Sequence, residues 1–210
     1  MKYNPQKHHR RSIRLKGYDY TQPGAYFVTI CSYQRIYLFG EVMNGEMKLN
    51  EAGKIARGEW FKTAHLRPYV KLYEDEFVIM PNHCHGIIWI IDDPVGTRHR
   101  RVPTSESFGK PVKGSIPTIV RAYKSAVTYA VNAAENQRGA VLWQKNYYEH
   151  IVRNNRELNN IRWYIANNPI NWQLDRDNVQ NVRKLSPPKQ VEEYLRDVEE
   201  MVLELKADVR

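Results

Sequence analysis

The stretch Met80-Pro81-Asn82-His83-Cys84-His85-Gly86-Ile87-Ile88-Trp89-Ile90 decides how the rest of the chain reads. Its apolar run is too short for a buried helix and rich in β-branched and aromatic residues, which predicts a strand. Residues i and i+2 of a strand share a face. His83 and His85 therefore project side by side, with Cys84 opposite, a geometry that suits two ligands of one metal ion. Pro81-Asn82 is a turn, and Val70 to Met80 reads as the preceding strand, so the two form an antiparallel hairpin.

Working outward, Gln22-Pro23-Gly24 is a turn and Ala25 to Tyr33 the first strand. Asn50 can cap a helix over Glu51 to Ala64. Ile116 to Ala134 carries apolar residues at helical spacing and reads as an amphipathic helix, with Arg121 and Lys124 on its polar side. Val141 to Ile151 reads as a fourth strand. Leu158, Ile161 and Ile165 are spaced by three and four, predicting a helix from Asn155 to Asn168 that Pro169 ends. Tyr164 and Asn168, four apart, share a face of it. The order β-α-β-β-α-β-α is the split, ferredoxin-like α+β arrangement with an antiparallel sheet and one added helix. Ser186-Pro187-Pro188 caps a further helix at the C-terminus.

Composition narrows the class. The chain has 210 residues, 42% of them apolar, enough for one domain with its own core. No run approaches the ~20 apolar residues of a membrane helix. The polar start Met1-Lys2-Tyr3-Asn4-Pro5 predicts no signal peptide, and two cysteines in predicted strands make a disulfide framework implausible, so a reducing cytoplasm is expected. The formal charge is +9. Residues 186–210 hold four Lys/Arg against seven Asp/Glu, a net −3 that leaves +12 on the residues before them. Such a balance favours a polyanionic partner. We divide the chain into a basic arm (1–17), a central domain (18–178) with a flexible basic loop at 92–114, and an acidic C-terminal helix (186–210).

Four segments in order resemble one family. His83-Cys84-His85 resembles the His-hydrophobic-His motif of HUH nucleases, with cysteine where a bulkier apolar residue is usual. Tyr164-x-x-x-Asn168 looks like the tyrosine and polar ligand of their single-tyrosine transposases. Arg11 to Tyr20 through Ala25 to Cys31, and Trp143 to Asn154, are similar to REP-associated tyrosine transposases. The resemblance implies the HUH fold and attack by Tyr164 on single-stranded hairpin DNA, leaving a phosphotyrosine and a free 3′ hydroxyl. It also implies Mg²⁺ or Mn²⁺ on His83, His85 and Asn168, nucleoid association, and action as monomer or dimer. The DNA would be held by Arg11, Arg14 and Lys16 of the arm, by Arg121, Lys124, Lys145, Arg153 and Arg162, and by stacking on Trp143, Tyr147 and Tyr148. Two rivals remain on sequence grounds: a non-cutting binder of single-stranded DNA or RNA hairpins on the same fold, and a metal hydrolase that does not use Tyr164.

Overall fold

The computed structural model describes Leu15, residues 17–92 and residues 112–180. The basic arm, apart from Leu15 and Gly17, most of the 92–114 loop and the acidic C-terminal helix lie outside the described residues. Strands are β1 (Gly24–Cys31), β2 (Gly40–Met43), β3 (Glu46–Leu49), β4 (Val70–Lys71), β5 (Phe77–Met80), β6 (His83–Ile90) and β7 (Tyr148–Val152). Helices are α1 (Glu51–His65), α2 (Ile116–Ala134) and α3 (Asn155–Asn167).

The central sheet is antiparallel throughout. β6 lies against β1, β1 against β7, and both β4 and β5 pair with the free side of β6. This is the ferredoxin-like strand order expected from the alternating pattern. Alternation along β1 and β6 sends side chains to two cores. Tyr26, Val28, Ile30, Cys84, Ile88 and Ile90 pack beneath α1 and α2. Ala25, Phe27 and Ile87 pack against Leu158, Ile161 and Ile165 of α3. The histidines fall on the α3 side.

Two predicted strands are shorter than expected, each for a visible reason. The strand expected over Val70 to Met80 is broken by a 3-10 turn at Glu74–Glu76, which turns Glu76 inward until it is 1% exposed. The strand expected over Val141 to Ile151 begins only at Tyr148. Before it, Trp143 makes a single bridge to Ser32, and its indole nitrogen donates to the Lys124 carbonyl on α2. The β2–β3 hairpin was not expected. Its turn is Asn44-Gly45, both at positive φ (53° and 77°), the dipeptide that a two-residue hairpin favours.

Helix ends follow the expected chemistry. Asn50 accepts from the Gly53 amide at 2.9 Å to start α1. Asn154 accepts from the Glu157 amide at 2.9 Å, and the Glu157 carboxylate reaches back to the Arg153 amide at 2.6 Å. This reciprocal cap fixes the start of the helix that carries Tyr164.

Gly86 follows the two histidines because nothing larger fits. A Cβ there would lie 2.4 Å from the Trp60 ring, which itself stacks on Phe77 with centroids 4.4 Å apart. We expect Gly86→Ala to cost about 1–3 kcal/mol by forcing this pair apart. Urea denaturation checks this; an unchanged midpoint would contradict the packing.

Candidate metal and tyrosine centre

The site is built where β6 begins. His83 and His85 are 0% and 1% exposed, with their Nε2 atoms 2.9 Å apart. Each ring is held from behind. Asn82 Oδ1 meets His83 Nδ1 at 2.8 Å, and the Thr29 hydroxyl meets His85 Nδ1 at 2.8 Å across the β1–β6 pair. The Asn82 amide cannot turn round, because its Nδ2 donates to the carbonyls of Asp177 (2.7 Å) and Arg35 (3.2 Å). His83 Nδ1 therefore carries the proton, and its Nε2 lone pair is bare. Thr29 can donate or accept, so His85 is free to hold its proton on either nitrogen.

Tyr164 comes from α3. Its hydroxyl lies 3.1 Å from His85 Nε2, and its ring stands edge-on to His85 with centroids 5.0 Å apart. Phe27 stacks on His85 at 5.5 Å and meets the Tyr164 ring edge-on at 6.2 Å. Asn168, one turn further on, is 1% exposed, and its Oδ1 is buried without a hydrogen-bond partner. An orphaned amide oxygen costs about 1–3 kcal/mol unless something pairs with it. A fourth group arrives from beyond α3: His83, His85 and Asp175 each bring one ligand atom, all within 4.8 Å of one another.

These donors fit a divalent cation. Neighbouring ligands of an octahedral ion at ~2.1 Å lie about 3 Å apart, close to the observed nitrogen spacing. Two imidazoles, an amide oxygen and a carboxylate are a mixed N/O set that suits Mn²⁺ at least as well as Mg²⁺. Cys31 faces the same side as His83, but burial and nearby Asp177 push its thiol up to about 12. Cys84 packs in the opposite core.

Burial sets the protonation of the site. It holds His83 below 6.5 despite Asp175 and Asp177, and holds His85 well below, helped by His83. Burial, then Asp175 and Asp177, keep the Tyr164 phenol well above 10, while the Asn168 side chain pulls the other way. The unfolded chain takes up protons on both histidines near pH ~6.5 and the folded chain does not. Their contribution to stability is thus complete above that pH and is lost as pH falls below it. Urea midpoints should drop between pH 7.5 and 5.5, and drop less in His85→Gln; identical pH dependence in the two proteins would contradict this.

The residues expected to hold DNA are scattered. Arg121 and Lys145 are exposed, but Arg121 sits on α2, on the sheet face away from the histidines. Lys124 is drawn inward to the carbonyls of Gln144 (2.5 Å) and Lys145 (3.4 Å), and burial lowers its pKa. Trp143 is core, packed on Phe39 and Tyr123, and has no face free for a base. Arg162 grips buried Glu76 through two nitrogens at 2.9 and 2.6 Å. Lys124 and Trp143 fasten the 143–145 segment to α2 and Arg162 pairs with a buried carboxylate, contacts that charge and aromaticity alone do not reveal. Arg153 is exposed at the start of α3. Tyr147 donates to Glu149, and Tyr148 is half-buried beside Phe27 on the site face. Arg11, Arg14 and Lys16 lie outside the described residues. Asp175 was missed. Its signal was the pair Asp175 and Asp177 just past the predicted helix and inside the central domain, to which the sequence reading gave no role.

An uncharacterised protein of Haemophilus influenzae (strain Rd) is 42% identical over 184 residues, spanning 83% of this chain and 96% of that one. The chain belongs to that protein's family. No family profile matches it. Among solved structures, the fold is similar to a REP-associated tyrosine transposase bound to a REP hairpin. The TM-score is 0.47 at 20% identity, covering 74% of this chain and 72% of that one. It is also similar to a candidate transposase of Deinococcus radiodurans R1, with a TM-score of 0.42 at 18% identity, covering 72% and 95%. No helix among the described residues is long and apolar enough to cross a membrane.

Proposed function

We propose that this family member is a metal-dependent nuclease and strand transferase for single-stranded hairpin DNA, with Tyr164 as the nucleophile. The observation that carries the reading is the Tyr164 hydroxyl 3.1 Å from a buried imidazole pair whose Nε2 atoms converge. A non-cutting binder has no use for this arrangement. His83, His85, Asn168 and Asp175 would hold the cation. Bound there, Mg²⁺ or Mn²⁺ would polarise a non-bridging phosphate oxygen and offset developing negative charge.

The chain's own residues supply the rest. Phe27 and His85 fix the tyrosine ring from the sheet side. The Asn168 side chain, hydrogen-bonded to Tyr164, opposes the burial and the carboxylates that keep the phenol protonated. In the reaction the bond from Tyr164 Oη to phosphorus forms as the bond from phosphorus to the 3′ oxygen breaks. The phenol gives up its proton and the departing oxygen takes one up. The 5′ phosphate stays esterified to tyrosine, so the strand can be rejoined to another 3′ end without an outside energy source. Grip on the DNA falls to the exposed basic groups Lys145 and Arg153 and to the arm residues Arg11, Arg14 and Lys16.

The test is incubation of the full chain with end-labelled hairpin DNA and Mn²⁺. We expect cleavage that a chelator stops and that His83→Ala lowers by roughly 10²-fold or more. Tight binding with no cleavage under any divalent cation would favour the non-cutting binder.

A further inference from the structure

We propose that Asn82 is a positioning residue that couples the tautomer of His83 to the placement of the segment carrying Asp175. This rests on the metal-site reading above and deepens it.

Asn82 is fully buried at the turn between β5 and β6, and all of its side-chain polar atoms are used. Its oxygen fixes His83 Nδ1. Its nitrogen ties down the backbone of Arg35 and of Asp177, two positions 142 residues apart in sequence. The side chains of those two residues then pair with each other. Asp177 in turn donates its amide to Asp175 Oδ1 at 2.6 Å. One amide thus decides which nitrogen of His83 is bare and where the Asp175 carboxylate stands.

Two further observations show the cluster is over-determined. Gln34 and Arg35 hold left-handed backbone (φ 52° and 56°) that side-chain-bearing residues seldom adopt. Arg35 keeps that conformation while offering its carbonyl to Asn82. Tyr37 then donates to Asn178 Oδ1 at 2.5 Å, and Asn178 Nδ2 donates to the Trp172 carbonyl at 2.9 Å. Trp172 covers His83, with ring centroids 6.0 Å apart. The 172–178 segment is therefore fastened to the site floor at Asn82 and at its rim by Tyr37.

Asparagine is the residue this needs. Aspartate would still accept from His83 Nδ1 but would set a carboxylate against two carbonyl oxygens. Leucine would fill the volume and do neither job.

The experiment uses the full chain and reads Mn²⁺ affinity by titration calorimetry, with histidine ¹⁵N spectra of the metal-free protein at pH 8. Outer partners of metal ligands are typically worth about 10–100-fold in affinity. We expect Asn82→Asp to weaken Mn²⁺ binding within that range while His83 keeps its proton on Nδ1. Asp175→Asn should also weaken binding, and the double variant should be no weaker than Asn82→Asp alone. Asn82→Leu should release the His83 tautomer. Tyr37→Phe, a change at a 39% exposed residue, should loosen the segment without touching Asn82 and weaken Mn²⁺ only when Asp175 is present. Additive losses in the double variant, or an unchanged His83 tautomer in Asn82→Leu, would overturn the inference alone. Wild-type Mn²⁺ affinity indifferent to His83→Ala would overturn the metal-site reading, and the inference with it.

Discussion

Tyr164→Phe is expected to reduce strand cleavage by at least about 10³-fold and to leave no protein–DNA adduct, because it removes the atom that forms the new bond. The same change should be nearly silent elsewhere. The hydroxyl's partners are His85 and the Asn168 side chain, and such a bond is worth about 1 kcal/mol. The ring keeps its edge contacts with His85 and Phe27. Mn²⁺ affinity and the urea midpoint should therefore stay close to wild type. Single-turnover cleavage, calorimetry and denaturation measured on one preparation decide the matter. A Tyr164→Phe protein that still turns over would favour a metal hydrolase that activates water.

The largest effect on stability is expected at Arg162. Glu76 is 1% exposed and takes three donors, two from Arg162 and the Trp89 indole at 2.6 Å. Arg162→Ala leaves a buried carboxylate with only the indole. Breaking one side of such a pair costs about 3–5 kcal/mol. For a chain of this size each kcal/mol lowers the melting temperature by about 2–4 °C, so a drop on the order of 10 °C is expected. Adding Glu76→Gln should recover much of it, since the neutral amide has less to lose by burial. Because Arg162 lies on α3 two residues from Tyr164, the single variant should also lose cleavage. Calorimetric melts of the two variants check this; a melting temperature for Arg162→Ala within 2 °C of wild type would contradict the pairing.

Much of this architecture was legible because local signals and the fold agree. Helix α2 runs from Ile116 to Ala134 as its apolar period predicts, and Asn50 caps α1 as expected. The i, i+2 reading of His83 and His85 put both on one face with Cys84 on the other, since a strand permits nothing else. What was not legible required partners distant in sequence. Glu76 looked like one of three acidic residues in a strand, and only Arg162 and Trp89 explain why it turns inward. Trp143 and Lys124 were read as nucleic-acid contacts, and their bonds that hold the 143–145 segment to α2 were not foreseen. Asp175 lies past a proline that ends the helix, so no periodicity points to it, and Asn82 brings it home through a backbone carbonyl. Among the features not foreseen, the β2–β3 hairpin differs in having a plain local signal, Asn44-Gly45.

Charge and chemistry meet in one arrangement. A strongly basic chain carries a pair of buried neutral imidazoles, two nearby carboxylates and a protonated phenol. In the metal-free protein burial neutralises the histidines, and burial, with Asp175 and Asp177, holds the proton on Tyr164. A divalent cation would reverse the sign of the local field, which is why activity is expected to be strictly cation-dependent.

The most direct measurement is the location of the covalent bond. The full chain is incubated with single-stranded hairpin DNA and Mn²⁺, denatured, digested with nuclease and trypsin, and analysed by mass spectrometry. Cleavage after Arg162 and Arg176 releases a peptide, 163–176, whose one tyrosine is Tyr164. The account predicts nucleotide mass on that peptide, and none in a parallel reaction with chelator. Nucleotide on another peptide, such as the one bearing Tyr147 and Tyr148, or cleaved DNA with no adduct at all, would contradict it.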